Sequence, residues 1–311
     1  MGALFQPPRP LTAVIVTYQS AGTLDLCIDA VKRGYDEGLL SCVFVDNGSS
    51  DGTIDMLRER ASPWAEVLLT GVNNGFGRGC NIGFERVATA LTIFINPDAI
   101  VEPDAIRTML HFMEKSPGVG IVGPAILEGQ AGSEYTMQAT GERMTPRKLL
   151  AAAMPLMRQP AISYPIVPGT AAARTGWVCG AVFMIRTELM ARLGGFDPRF
   201  FLYWEETDVC KRAEDLGYEI CALGAAVAHH IGGASSSADS TRIGGCIARH
   251  YFQSRFYYMV KHHGWLSATL AEAGEFILLT MRSALEVARG RRAERLRSRM
   301  QAPLFSQPKR V

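Results

Sequence analysis

The sequence predicts an α/β protein built on a mostly parallel sheet with helices on both faces. Three observations carry that prediction. Short apolar, β-branched runs alternate with amphipathic helical periods through the first 128 residues. The runs are apolar at nearly every position, as strands sandwiched between helices are. Two of them end in an acid, Asp46 and Asp98, at the carboxyl edge where open α/β sheets gather ligands.

The elements follow in order. TAVIVTY (12–18) is the first strand, and Ser20 reads as the N-cap of a helix whose apolar face is Leu24, Ile28 and Val31. CVFVDN (42–47) is the second strand, and Asp51 is placed to cap a helix carrying Ile54, Leu57 and Ala61. EVLLTG (66–71) is the third strand, and GFGRGCNIGFERVATA (75–90) is a glycine-rich turn opening a helix. LTIFINPDA (91–99) reads as one strand. Pro103 then starts a helix with Ile106, Leu110 and Met113 inward, and VGIVGPAIL (119–127) is the fifth strand. Gly129–Pro168 has no period and reads as a long excursion or lid. Regular structure returns with WVCGAVFMIR (177–186) as a strand and TELMARLGG (187–195) as a helix stopped by glycine. The second half of FFLYWEETDVCKRAEDLGY (200–218) is a helix, EICALGAAVAHH (219–230) a strand and Arg242–His263 a helix.

Bulk composition narrows the function. Hydrophobic residues make up 48% and charged residues 20%, enough apolar content for a full core. A net charge of +2 gives no reason to expect nucleic acid. The charge is unevenly placed: from Arg282 onward nine basic residues face two acidic ones, a net of +7, which leaves −5 for the rest. A basic tail on an acidic body suggests an anionic neighbour. The seven cysteines are odd in number, widely spaced and lack CxxC, the pattern of reduced thiols in the cytosol. No apolar run approaches the ~18 residues of a membrane span, and the N-terminal LTAVIV run reads as a strand, not a signal peptide.

Four motifs carry chemistry. Asn96 and Asp98 stand two apart, on one side of a strand end, and suit a hard cation that also holds a diphosphate; Asn-Pro-Asp is also ordinary turn chemistry. NNGFGRGCNIG (73–83) offers backbone amides to phosphate, yet it is not GxGxxG, because Cys80 occupies the third glycine position. Taken alone, the stretch reads better as a tight turn before a helix. WEETD places Glu205, Glu206 and Asp208 beside an aromatic run at a helix start. Acids are common there for electrostatic reasons, but the apolar wall would raise the proton affinity of a carboxylate, as a general base requires. AHHIGGASSS brings two histidines to a strand end, one able to complete a metal site and one an ordinary loop or core histidine.

The ordered set, spanning about Ala13 to Gly264, resembles the family-2 glycosyltransferases of the GT-A (nucleotide-diphospho-sugar transferase) fold, and within them the rhamnosyltransferase-like branch. The resemblance implies a GT-A domain over 1–264, with a nucleotide-binding half at about 11–128 and an acceptor and catalytic half at about 129–264. A basic, amphipathic helical extension follows at 265–311. It implies that Thr17 and Asp46 hold the base and ribose, with Tyr18, Asn47, Asn74, Gly75, Asn81 and Asn96 completing the nucleotide site. Asn96 and Asp98 stand where the family has DxD, so Asp98 is the expected ligand of a divalent metal (magnesium or manganese). His230, in His-x-x-Gly-x-Ser with Gly233 and Ser235, is the second ligand. Glu206 matches the catalytic base, with Glu205 in reserve and Asp208 beside them; Trp177, Gly180 and Trp204 are expected at the acceptor.

The activity so implied is inverting transfer of a sugar, L-rhamnose from dTDP-rhamnose first and a UDP-hexose second, to a lipid-linked saccharide in bacterial surface polysaccharide synthesis. The reaction is placed in the cytoplasm or on the inner face of the plasma membrane, and a homodimer is compatible with it. Leu266 to Met281 carries an apolar face followed by arginines, which suits either an anionic membrane or a helix packed on the domain. Two other classes compete. A sugar nucleotidyltransferase would carry a basic glycine-rich loop after the first strand, where TYQSAG stands. A non-catalytic sugar-nucleotide-binding protein would not need the acids at 98, 206 and 208. The missing dinucleotide fingerprint disfavours an NAD enzyme.

Overall fold

The computed structural model describes residues 9–128, 135–136, 139–154, 163–231, 245–288, 290, 292 and 294–308. The first half alternates as expected: β1 (Leu11–Thr17), α1 (Leu24–Asp36), β2 (Leu40–Asp46), α2 (Thr53–Met56) and β3 (Glu66–Leu69). Then come α3 (Phe76–Phe84), β4 (Leu91–Ile95), β5 (Ala99–Ile100), α4 (Pro103–Lys115) and β6 (Val119–Glu128). β1 pairs in parallel with β2 and β4, and β2 with β3, because each apolar run is joined to the next by a crossover helix.

Short pieces follow: β7 (Tyr135–Thr136), β8 (Thr140–Gly141), α5 (Pro146–Ala153), β9 (Ser163–Tyr164) and β10 (Ala173–Arg174). The predicted strand at 177–186 is in fact two, β11 (Trp177–Val178) and β12 (Val182–Arg186). They lie in different sheets: β11 joins β8 and β9, while β12 enters the main sheet antiparallel between β4 and β6. The run is apolar throughout, so periodicity did not show the break at Cys179–Ala181. α6 (Thr187–Arg192), α7 (Glu205–Asp215), β13 (Glu219–His230), α8 (Gly245–His263), α9 (Trp265–Ala288) and α10 (Glu294–Arg299) complete the chain.

The main sheet is ordered β10-β13-β6-β12-β4-β1-β2-β3; it is mixed, with β4-β1-β2-β3 and β13-β6 pairing in parallel and β12 antiparallel between them. One core fills the face covered by α1 and α4, around Phe44, Ile93 and Met109. A second fills the face covered by α3, α6 and α7, around Phe94, Phe183 and Phe196. Glycine sets the second spacing. A Cβ on Gly79 would come within 2.6 Å of Val16, so α3 lies flat on β1 only because that side chain is missing. Two local expectations change. Ser20 is not the N-cap of α1; its carbonyl receives Thr23 and Leu24 N–H, so an extra turn precedes the helix. Asp51 sits one residue outside the cap of α2 but still accepts from Thr53 N–H at 3.2 Å.

The C-terminal helices are tied down by a buried charge cluster. The Arg255 guanidinium donates to Glu272 at 2.9 and 3.0 Å and to Glu275 at 2.9 Å, and Arg299 donates to Glu272 at 2.8 Å. All four residues are buried. The cluster joins α8, α9 and α10 after the chain turns at Gly264 and Gly290, both left-handed. Removing one partner would strand desolvated charge. Arg255→Met is expected to lower stability by about 3–5 kcal/mol, read as a fall in the urea midpoint.

Candidate active site

The carboxyl ends of β1, β2 and β3 form a pre-stitched shelf. Asp46 lies opposite Thr17 in the ladder. Its Oδ2 accepts from Thr17 Oγ1 at 3.0 Å, and its Oδ1 accepts from the amides of Gly48 and Ser49 at 3.0 and 2.9 Å. Asn47 donates from Nδ2 to the Gly75 carbonyl at 2.9 Å. Thr17, Asp46 and Asn47 are therefore buried with polar atoms engaged by neighbouring strands and loops. Tyr18 stands exposed on the rim, and Asn74 and Asn96 are half-buried.

The glycine-rich stretch is likewise engaged. Gly75 N–H donates to Asn73 Oδ1 and Phe76 N–H to the Phe201 carbonyl, both at 2.9 Å, so neither amide is free for phosphate. Asn81, expected near a donor, spans α3 and the loop before α7. It donates to the Phe196 carbonyl at 2.9 Å and accepts from Phe196 N–H at 2.8 Å.

Asp98 and His230 do meet. The 91–99 strand stops at Ile95, and Asn96–Asp98 is a turn closed by Ala99 N–H on the Asn96 carbonyl at 3.0 Å. The expected alternation of Asn96 and Asp98 on a strand face is thus replaced by turn geometry. β5 then pairs antiparallel with β13, setting Ala99 opposite His230. His230 Nε2 lies 3.1 Å from Asp98 Oδ1, and Nδ1 lies 3.9 Å from Glu128 Oε1. Burial works against protonation of His230, but the Asp98 and Glu128 carboxylates outweigh it and raise its pKa. Neither ring nitrogen has a partner in hydrogen-bond geometry. An unsatisfied buried imidazole facing a carboxylate fits a divalent cation whose other positions come from ligand and water. Among the described residues no group of three or more such side chains converges. Gly233 and Ser235 lie outside the described residues.

The acids of α7 split three ways. Tyr203 and Trp204 both have left-handed backbones (φ 68° and 73°), costing on the order of 1–3 kcal/mol each. Packing holds them there: Trp204 stacks obliquely on Tyr251 and Tyr258, and Ser254 Oγ donates to the Leu202 carbonyl at 3.0 Å. Trp204 is thereby a buried member of the cluster beneath α8. Glu205 turns toward Gly77 on α3, buried, with Oε2 unpartnered. Burial and then the neighbouring Glu206 charge raise its pKa well above the ordinary value.

Glu206 is half-buried beside Gly180, where a Cβ would touch its carboxyl carbon at 3.5 Å; burial lifts its pKa to about 7. Asp208 faces away and is fully buried, accepting from Arg212 and Lys261 at 2.7 Å and His262 at 2.8 Å. Burial alone would raise its pKa, but those donors hold it below the usual range. Its carboxylate is saturated, so it acts as a tie between α7 and α8 and has nothing left for a substrate.

Trp177 leans half-buried on the second core, and the 179–181 link runs from it past the catalytic end. The Ala181 carbonyl accepts from Asn96 N–H at 2.8 Å, and the Cys179 thiol feels the charges of Glu206, Asp98 and Glu128. The link therefore bridges the Asp98–His230 pair and Glu206. Glu128 and Cys179 are additions that motif reading missed. Glu128 was findable, as a further acid at a strand end.

Known proteins fit this geometry. Residues 12–176 match the model of Glycosyl transferase family 2. An N-acetylglucosaminyl-diphospho-decaprenol L-rhamnosyltransferase of Mycobacterium tuberculosis is 27% identical over 93% of this chain and 98% of its own. The low-salt glycan biosynthesis hexosyltransferase Agl10 of Haloferax volcanii is 26% identical over 65% of this chain and 61% of its own. In fold, the chain resembles the mannosyltransferase PcManGT of Pyrobaculum calidifontis in complex with GDP-Man and Mn2+. That match has a TM-score of 0.54 and 16% identity, over 96% of this chain and 87% of that one. It also resembles GalNAc-T7 with UDP, GalNAc and Mn2+, with a TM-score of 0.56 and 14% identity, over 86% of this chain and about half (52%) of that one. With just over half of its length matched to the family and a GT-A fold around the facing acids, the chain belongs to glycosyltransferase family 2.

Proposed function

We propose that this protein is an inverting glycosyltransferase that moves L-rhamnose from dTDP-rhamnose to a hydroxyl of a lipid-linked saccharide. The reaction serves bacterial cell-surface polysaccharide synthesis, at the inner face of the plasma membrane. The observation that carries the reading is the half-buried Glu206 beside Gly180, one link away from the facing Asp98 and His230. The near full-length similarity to a rhamnosyltransferase named for a diphospho-decaprenol acceptor supports the sugar and the lipid.

Glu206 takes the proton of the acceptor hydroxyl as its oxygen attacks the anomeric carbon, and the nucleoside diphosphate leaves from the opposite face. A pKa of about 7 suits that task, since a general base works best when poised near the operating pH. Burial and then the Glu206 charge favour the protonated form of Glu205, which leaves Glu206 as the more readily ionised member of the pair. Asp98 and His230 are the residues to hold a divalent cation, which when bound neutralises charge developing on the diphosphate. Tyr18, Asn74 and Asn96 are the exposed or half-buried residues at the nucleotide shelf.

Glu206→Gln should lower kcat by about 10²–10⁴-fold while donor binding persists. In the parent enzyme kcat/KM should fall about tenfold per pH unit below about 7, as Glu206 protonates. That acid limb should vanish in the Gln variant; a parent profile flat down to pH 5 would remove Glu206 from the role.

Glu205→Gln separates the neighbours. Its folded-state pKa lies above its unfolded value, so the folded chain holds the proton more tightly. Stability is lost as pH rises from the unfolded value toward the folded one. The variant's gain in Tm over the parent should be larger at pH 8 than at pH 5, with turnover largely retained.

Donor identity is read by thermal shift. dTDP with manganese or magnesium should raise Tm by mass action, more than UDP or GDP do, and both EDTA and Asp98→Asn should abolish the metal-dependent part. A larger shift with UDP would favour a UDP-hexose donor.

A further inference from the structure

Helix α9 is built the wrong way round for a surface helix. Its carboxylates Glu272 and Glu275 point into the protein, where Arg255 and Arg299 neutralise them. Its aliphatic residues point out. Leu266, Leu270, Ile277 and Met281 are 66, 63, 59 and 55% exposed. Their steps of four, seven and four residues keep them within about a 60° arc of the helix, and at 1.5 Å per residue the stripe is about 22 Å long. The other positions of α9 within that arc are Ala284 and Ala288, so no charge interrupts it. Trp265 and Val287, both more than half exposed, lie to one side of it at the two ends of the helix. A contiguous apolar surface of this kind marks a contact site.

The charges around the stripe select the occupant. Nine basic residues against two acidic ones follow Met281. Among those the structure describes, Arg299 is buried in the internal cluster and Arg282 is paired with Glu286 at 2.8 Å, while Arg292 and Arg297 are exposed. Exposed cations therefore collect past one end of the stripe; the half-buried Glu286 is taken up by Arg282, and Glu294 is the one exposed acid beside them. A second copy laid on this face would find cations in excess of acids. An anionic lipid surface matches both features, because aliphatic and Trp side chains enter the acyl boundary while arginines meet headgroups. No described helix is long and apolar enough to cross a membrane, so the mode is lying on the surface.

We infer that the outer face of α9 is a docking surface for an anionic lipid bilayer, with Leu270 and Ile277 at its centre and Arg292 and Arg297 at its edge. The inference deepens the function proposed above and rests on it only for the lipid-linked acceptor. The same face is rigidly coupled to the catalytic end. α9 packs on α8, and α8 supplies Tyr251, Ser254 and Tyr258, which hold the strained turn ahead of Glu206. One helix layer, about 10 Å, separates the docking face from that turn's supports.

The test is flotation of the full chain with phosphatidylcholine vesicles, with and without phosphatidylglycerol, at low and high salt. Sedimentation velocity reports oligomeric state, and circular dichroism with Tm reports folding. The parent should float with the anionic vesicles, less at high salt, and sediment as a monomer. Leu270→Glu with Ile277→Glu should weaken vesicle binding at least about tenfold, and Arg292→Glu with Arg297→Glu should reduce it and flatten its salt dependence, all at unchanged folding. The inference is overturned if the parent does not float, if the glutamate variant floats as well as the parent, or if the parent is a dimer that the glutamate variant splits. Sugar transfer is scored separately on the parent. Transfer without flotation sinks the docking face alone, and flotation without transfer sinks the proposed function alone.

Discussion

The geometry of the catalytic end depends on a single buried carboxylate. Asp208 has lost its water completely, a cost of several kcal/mol if left uncompensated. Arg212 from its own helix and Lys261 and His262 from the end of α8 compensate it together. That requirement fixes α7 against α8. With α7 fixed, the turn before it has room for only one path, and Tyr203 and Trp204 accept left-handed backbones to follow it. Glu205 and Glu206 then emerge on opposite sides, one into the interior and one toward the Gly180 link. The functional difference between two adjacent, chemically identical residues is thus set by an ion cluster that touches neither.

The parallel framework was legible because each element there is internally consistent: apolar runs of strand length, helices with one apolar face, turns rich in glycine and asparagine. The meeting of Asp98 and His230 was legible only by resemblance. Their proximity comes from a two-residue strand, β5, too short to carry any period, pairing with a strand more than 100 residues away. The break inside 177–186 was illegible for the opposite reason. Both halves are apolar, and only the competition between two sheets for their backbone groups divides them. The burial of Trp204 and the pairing of Asp208 were not legible, because both come from tertiary packing against α8.

The nucleotide shelf shows how position and contact come apart. Thr17, Asp46 and Asn47 lie at the expected edge, yet their hydrogen-bonding capacity goes largely to neighbouring loops. Asn81 does the same between α3 and the loop at Phe196. Motif residues of this kind act by holding loops in register, so less ordering is left to be done when a ligand arrives. The sequence pattern records that such residues are needed at a site; it does not separate those that touch a ligand from those that shape the surface.

Cys179 carries a consequence of a different kind. Its thiol sits between the carboxylates of Glu206, Asp98 and Glu128, and burial together with those charges pushes its pKa up to about 12. Only the thiolate attacks electrophiles and peroxides, and a raised pKa keeps that form scarce at neutral pH. The carboxylates proposed for proton transfer and cation binding would also keep this thiol in its unreactive form. The other five described cysteines are buried, so none among them offers an oxidant an easier target.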